Sequence, residues 1–334
     1  MTTIYDIAKL AGVSVATVSR YLNRTAPVLP DTASRIQQAV DQTGFTLNRA
    51  ASSLTTKRTG LIGFITSDLI NPFTAEVGQA MTEEAVEQGF SLLTAITAGR
   101  EDRFLQMLTE LRRHQVDGVI ATPPETPRIL TALAELVAAG TPVTTIGIDL
   151  VAAGAGFVSV DTYGGAVAGV EHLVDLGHRR IGFLGGPDPA VAHGRLAGYT
   201  DALRRAAIRV DRRLVVRDSL DREGGARALG VMVGLPRPPT AVLTVNDMVA
   251  LGALQEAHTR RIRVPDDLSV VGFDDIAMAS YASPPLTSVA QPKALLGRAA
   301  ARSLIDQLVD QHVRDPERLT CELVIRSSTA PPRA

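Results

Sequence analysis

The stretch Ile4–Asn23, "IYDIAKLAGVSVATVSRYLN", decides how the head of the chain folds. Ile7, Leu10 and Ala11 recur at helical spacing, Thr3 stands where an N-cap belongs, and Gly12 stops the run. Ser14 caps again almost at once. Two short helices joined so tightly must cross steeply, which is a helix-turn-helix. On the second helix Val18, Tyr21 and Leu22 fall on one side and dock on the first helix. Val15, Ala16, Ser19, Arg20 and Asn23 fall on the other. Asp31 opens a third helix that runs to about Thr43, with Ile36, Ala39 and Val40 inward and Gly44 as its stop.

The outward face of the second helix suits the DNA major groove. Arg20 can grip guanine with two hydrogen bonds, and Val15 and Ala16 can meet a thymine methyl. Ser19 and Asn23 can hold phosphates, with Tyr5 and Ser14 beside them. Charge points the same way. Residues 1–58 hold seven basic and three acidic residues, so this segment is +4 in a chain whose net charge is −1. A basic head on an acidic body fits a polyanion partner, although charge alone does not separate that from chance clustering.

At this point the residues resemble a family. "IYDIAKLAGVSVATVSRYLN" is similar to the headpiece of the LacI/GalR family of bacterial transcription regulators, and "GFTLNRAASSLTTKRTGLIGFI" to the linker and first strand that follow it. The resemblance implies that Val15, Ala16 and Arg20 read bases. It also implies that residues 48–56 form a hinge helix when two subunits sit on DNA. In that hinge Asn48 and Ala51 face the DNA, and Leu54 is a wedge between base steps. So short a peptide is not helical alone in water, so its folding would be coupled to DNA and to the second subunit. Without the resemblance, Leu54 reads as a linker residue packed on the body. The division implied is a headpiece at 1–47 and a hinge and linker at 48–59.

From residue 60 onward strand and helix alternate, from "GLIGFITS" through "LSVVGF" to "CELVIR". That alternation means parallel sheets with helices on both faces. Two such series mean two lobes, an α/β fold of two doubly wound sheets. The resemblance extends over this region and implies the periplasmic-binding-protein type I fold with three crossovers. The N-lobe is expected at 60–161 plus 292–319 and the C-lobe at 162–291 plus 320–330.

Open parallel sheets bind ligands beyond the carboxyl ends of their strands. Asp68, Asn71 and Phe73 follow the first strand, Asp149 follows "TTIGI", Asp161 follows "GFVSV", and Asn246 and Asp274 close later strands. All of these but Asn71, with His193, Arg195 and Leu220, form the candidate effector set. Carboxylates, an amide and an arginine offer paired donors and acceptors to neighbouring hydroxyls, as a sugar requires, and Phe73 can pack on an apolar ring face. Asp and Asn after strands serve equally as helix N-caps, and Asp275 reads mainly as one. The resemblance favours effector contact for Phe73, Asp149, Arg195, Asn246 and Asp274. Leu220 departs from it, because the family often carries an aromatic residue there, so a ligand other than a stacked pyranose stays open.

Other functions find less support. "GFLGG" after a strand lacks the spacing and acidic partner of a dinucleotide site, and the histidines show no metal-ligand spacing. No catalytic residue, metal or cofactor is expected. His178 reads as structural, and Cys321, the one cysteine, as an inert small residue. There is no secretory signal pattern and no long apolar span, so a cytoplasmic protein is expected. "STAPPRA" after the last strand carries no heptads, so a homodimer is expected, not a coiled-coil tetramer. The expected function is a ligand-responsive repressor that binds a pseudo-palindromic operator. The alternatives are a solute-binding protein of a transport system and an α/β sugar-processing enzyme.

Overall fold

The computed structural model describes residues 2–23, 26–45, 58–186 and 189–333, and the side chains of all of these except Asn23 and residues 189–193. The chain divides into two compact units, Met1–Gly60 and Leu61–Ala334.

Among the described residues the first unit holds three helices, α1 (Ile4–Ala11), α2 (Val15–Asn23) and α3 (Pro30–Thr43). Thr3 and Asp6 close a capping box on α1: Thr3 N–H donates to Asp6 Oδ2 at 2.8 Å, and Asp6 N–H donates back to Thr3 Oγ1. The Thr3 hydroxyl, which donates to Asp6 Oδ2 at 2.7 Å, and then the Thr3 N–H hold the Asp6 carboxyl below its usual pKa. Gly12 takes the left-handed conformation at φ 63°, which ends α1 without strain. Ser14 Oγ then accepts Thr17 N–H at 3.1 Å and starts α2. Ile7, Val18 and Ile36, one from each helix, are fully buried and form the core with Ala8, Ala11 and Ala39. Tyr21 ties α2 to α3 through a 2.9 Å bond to Gln37 Oε1.

Three local expectations change here. Leu10 is exposed and Ala8 takes its place inside, because the buried stripe of α1 runs 7, 8, 11. Val15 is half-buried and packs in part on the core, so only its outer edge is open. The third helix starts at Pro30, whose missing N–H suits the first helical turn, and Asp31 is not its cap.

The second unit holds two six-stranded sheets. The first has the order β11–β5–β4–β3–β1–β2, from β1 (Leu61–Thr66), β2 (Ser91–Ile96), β3 (Gly118–Ala121), β4 (Val143–Ile146), β5 (Gly156–Val160) and β11 (Glu317–Leu319). The second has the order β12–β10–β9–β8–β6–β7, from β6 (Ile181–Gly185), β7 (Val215–Arg217), β8 (Ala241–Thr244), β9 (Ser269–Asp274), β10 (Thr287–Ala290) and β12 (Glu322–Val324). All pairings are parallel except β12 on β10. The chain passes between the sheets three times, after β5, after β10 and after β11.

Alternation along β1 shows why helices cover both faces. Ile62 and Phe64 point into a core with Val77 and Met81 of α4 (Pro72–Glu87) and Leu304 of α12 (Lys293–Val309). Ile65 points the other way, to Phe104 of α5 (Glu101–Arg113) and Ile129 and Leu133 of α6 (Pro127–Ala138). Each such fully buried side chain stabilises the fold by roughly 1.5–3 kcal/mol.

The second lobe is covered by α7 (Thr162–Asp175), α8 (Pro189–Arg205), α9 (Arg222–Val233), α10 (Asp247–Thr259) and the short α11 (Ala277–Tyr281). Helices α9 and α10 touch backbone to backbone. A Cβ added at Gly252 would lie 1.9 Å from Arg222 O, so only glycine fits. The segment after β12 straps this lobe: Ser328 Oγ donates to Val270 O at 2.6 Å and accepts Thr287 N–H at 2.8 Å. Buried His178 joins the strap, with one ring nitrogen 2.8 Å from Thr240 Oγ1 and the other 2.9 Å from Ala330 O, which confirms its structural reading. Strand β11 was not expected from the sequence, because "ERL" is short, charged and lies at a sheet edge. Among the described residues no helix is long and apolar enough to cross a membrane.

Candidate functional site

On α2, Ala16 and Arg20 are exposed, and Arg20 Nε donates to Ala16 O at 3.3 Å, which lays the guanidinium along the helix surface. Ser14 is exposed and Ser19 half-buried. Tyr5 is 71% exposed, which leaves a large aromatic ring of α1 uncovered. Asn48, Ala51 and Leu54 lie outside the described residues, as do the side chains of Asn23 and His193.

The second candidate site lies where the carboxyl ends of the two sheets meet. Asp274 closes β9 with a buried side chain and a left-handed backbone at φ 106°. Such a conformation costs a non-glycine residue about 1–3 kcal/mol and persists only where neighbours hold it. Gln291, just after β10, donates from Nε2 to Asp274 Oδ1 at 2.6 Å. Arg195 Nη2 lies 3.6 Å from the same oxygen. Asn71, beyond β1 in the other lobe, reaches Asp274 Oδ2 from Nδ2 at 3.5 Å. The Arg195 guanidinium also stacks 4.3 Å from the centre of the Phe273 ring, a cation–π contact that favours a buried charge.

Burial sets the electrostatics. It pushes the Asp274 carboxyl up to about 6, against the opposing pull of Arg195, Gln291 and Asn71. It draws the Arg195 guanidinium below its ordinary value, against the field of Asp274. Asp247, at the start of α10, is driven further, to about 8, by its own burial and then by the charge of Asp274. Its two oxygens accept Ser288 Oγ–H at 2.6 Å and Ile276 N–H at 2.8 Å. Cys321 is half-buried and its thiol is pushed up to about 12, mainly by burial, so it is inert at neutral pH.

The other candidates divide by what they touch. Asn246 caps α10 through Val249 N–H at 2.8 Å and donates to Leu220 O at 3.1 Å, while the Leu220 side chain packs on the lobe core. Asp161 caps α7 through Gly164 N–H, and Asp149 is exposed and holds Val151 N–H. Asp68 accepts the Ile70 and Asn71 amides and so fixes the loop that delivers Asn71. Phe73 is half-buried against the first lobe's core. Asp275 is not an N-cap: Ile276 precedes α11, and Asp275 pairs with Arg326 at 2.7 Å. Gln291 and Phe273 had not been singled out, although Gln291 stands just past the end of a strand and the end-of-strand rule reaches it.

Comparison with known proteins decides the family. The family described as bacterial regulatory proteins, lacI family, matches residues 3–48, and the periplasmic binding protein-like domain matches residues 170–329. The HTH-type transcriptional regulator DegA of Bacillus subtilis (strain 168) is 34% identical, over 99% of this chain and 98% of its own. The chain belongs to the LacI family. The HTH-type transcriptional repressor CytR of Escherichia coli (strain K12) is 33% identical, over 98% of this chain and 96% of its own. Among solved structures, the lac repressor dimer bound to operator and the anti-inducer ONPF superposes with a TM-score of 0.84 at 30% identity, covering 98% of this chain and 99% of that one. The complex of the transcriptional regulator CelR with cellobiose gives 0.72 at 30% identity, over 98% and 100%. As a member of this family the chain is a ligand-responsive, DNA-binding transcription regulator.

Proposed function

We propose that this LacI-family regulator is a cytoplasmic repressor that binds a pseudo-palindromic operator as a homodimer and is controlled by a small polyhydroxylated effector, a sugar, in the cleft between its lobes. Arg20 and Ala16 read bases, with Val15 contributing only its outer edge, and Tyr5, Ser14, Ser19 and Asn23 position the backbone. Asn48, Ala51 and Leu54 act in the hinge. In the cleft, Arg195 and Asp274 hold effector hydroxyls, assisted by Asn246, Asp161, Asp149 and His193, while Phe73, Leu220 and Asp68 shape the walls.

The observation that carries the reading is the buried set of Asp274, Arg195, Gln291 and Asn71, drawn from both lobes onto one carboxylate. A charged, hydrogen-bonded group at that junction answers to whatever binds it, and its partners come from elements that can move apart. A ligand that favours one lobe arrangement then biases the spacing of the two hinges and with it operator affinity, which is allostery between two distinct sites. The solved complex of a similar regulator, CelR, with cellobiose supports a carbohydrate effector.

A thermal-shift screen of the full chain against sugars, sugar phosphates and nucleobases tests it. A sugar that raises the unfolding midpoint and changes operator affinity is the expected result. Stabilisation by nucleobases alone would overturn the sugar assignment.

A further inference from the structure

Helices α4 and α12 of the N-lobe are joined by ion pairs: Arg302 with Glu84 at 2.9 Å, Arg298 with Glu83 at 4.0 Å, and Lys293 with Glu76 at 3.5 Å. Lys293 differs from the other two. It stands at the end of the second crossover, its side chain is only 13% exposed, and its ammonium also reaches the other lobe. Nζ donates to the carbonyl oxygens of Asp274 at 3.1 Å and of Asp275 at 2.5 Å.

Those carbonyls belong to two consecutive non-glycine residues in the left-handed region, at φ 106° and φ 50°. Backbone of that kind relaxes unless neighbours hold it. Gln291 holds the Asp274 side chain and Arg326 holds the Asp275 side chain, but among the described residues only Lys293 holds the carbonyls from the N-lobe. The largely buried ammonium donates two hydrogen bonds to carbonyls and keeps a carboxylate 3.5 Å away to balance its charge.

We propose that Lys293 is the positioning residue that couples the effector cleft to the N-lobe: it clamps the strained Asp274–Asp275 backbone, and through Glu76 it fixes that backbone to α4. A displacement of Asp274 by effector is thereby felt at α4, and loss of the clamp frees the lobes from one another. The assignment rests on the reading of Asp274 as an effector contact.

The test uses the full chain without effector or DNA, so its outcome is independent of that reading. Spin labels are placed at Arg112→Cys in the N-lobe and Gln255→Cys in the C-lobe, in a Cys321→Ala background, and the interlobe distance distribution is measured by pulsed electron resonance. Lys293→Met is expected to shift the modal distance by more than about 2 Å or to broaden the distribution visibly, the scale of a hinge rearrangement. Lys293→Arg is expected to keep the parent distribution. An unchanged distribution in Lys293→Met, or an equal shift in Lys293→Arg, would overturn the proposal. Should Lys293→Met not fold, Glu76→Gln is read with the same labels: a shift in the distribution supports the clamp, and an unchanged distribution refutes it.

Discussion

Arg195 Nη2 lies 3.6 Å from Asp274 Oδ1, and both side chains are almost closed to solvent. Each therefore depends on the other for neutralisation, and removing one leaves a buried charge that is costly to strand. Neutral, near-isosteric changes are the informative ones.

Asp274→Asn is expected to cut the effector-induced change in operator affinity by about tenfold or more, within the usual range of allosteric coupling. Effector-free operator affinity should stay near the parent value. Fluorescence anisotropy on a labelled operator, with and without the effector found by screening, measures both. Equal loss of the two would make Asp274 a structural residue only.

Asp247 carries a pH signature of defined sign. Its folded pKa, about 8, lies above its ordinary 3.8, so the folded state keeps a proton that the unfolded chain has lost. That stability is full below pH 3.8 and disappears as pH rises through about 8. Asp247→Asn cannot ionise. Relative to the parent, it should gain at least about 1 kcal/mol between about pH 5 and about pH 9 in urea titrations. A constant difference would contradict the assignment.

His178 has the opposite sign. Burial lowers its pKa from 6.5, so its contribution is present above that value and is lost as pH falls through the lowered one. His178→Ala removes one hydrogen-bond partner each from Thr240 Oγ1, Ser269 Oγ and the Ala330 carbonyl, and is expected to cost about 1–3 kcal/mol at neutral pH. Part of the acid sensitivity should vanish with it, as chemical denaturation at several pH values will record.

On α2 the readers Arg20 and Val15 separate by burial. Arg20→Ala should weaken operator binding by about 1–3 kcal/mol per half-site with no change in unfolding midpoint, since the side chain is exposed. Val15→Ala should lower the midpoint, because Val15 packs on the headpiece core. The reverse pattern in calorimetry and anisotropy would contradict this division.

The order of elements was legible because each long one carries its own period: "GLIGFITS" reads as a strand and Pro72–Gln88 as a helix from local residues alone. Strand β11 was not, since a three-residue edge strand buries too little to leave an apolar pattern. The partial burial of Val15 was not legible, because a helical wheel gives direction but not how far a neighbouring helix overhangs it. In the cleft, Asp274 was reachable from a strand end and Arg195 from the family resemblance. Lys293 was not, since its partners lie 18 and 19 residues back in the other lobe and 217 residues back on α4, and only the crossover brings them together.

The central claim, a dimeric repressor reading DNA through its head, is tested most directly by in vitro selection of a random duplex pool with the full chain. The account predicts enrichment of a pseudo-palindrome with two half-sites, a guanine contact in each that is lost with Arg20→Ala, and no enrichment by residues 59–334 alone. Failure of the full chain to enrich any sequence, or equal enrichment by the headless body, would contradict it.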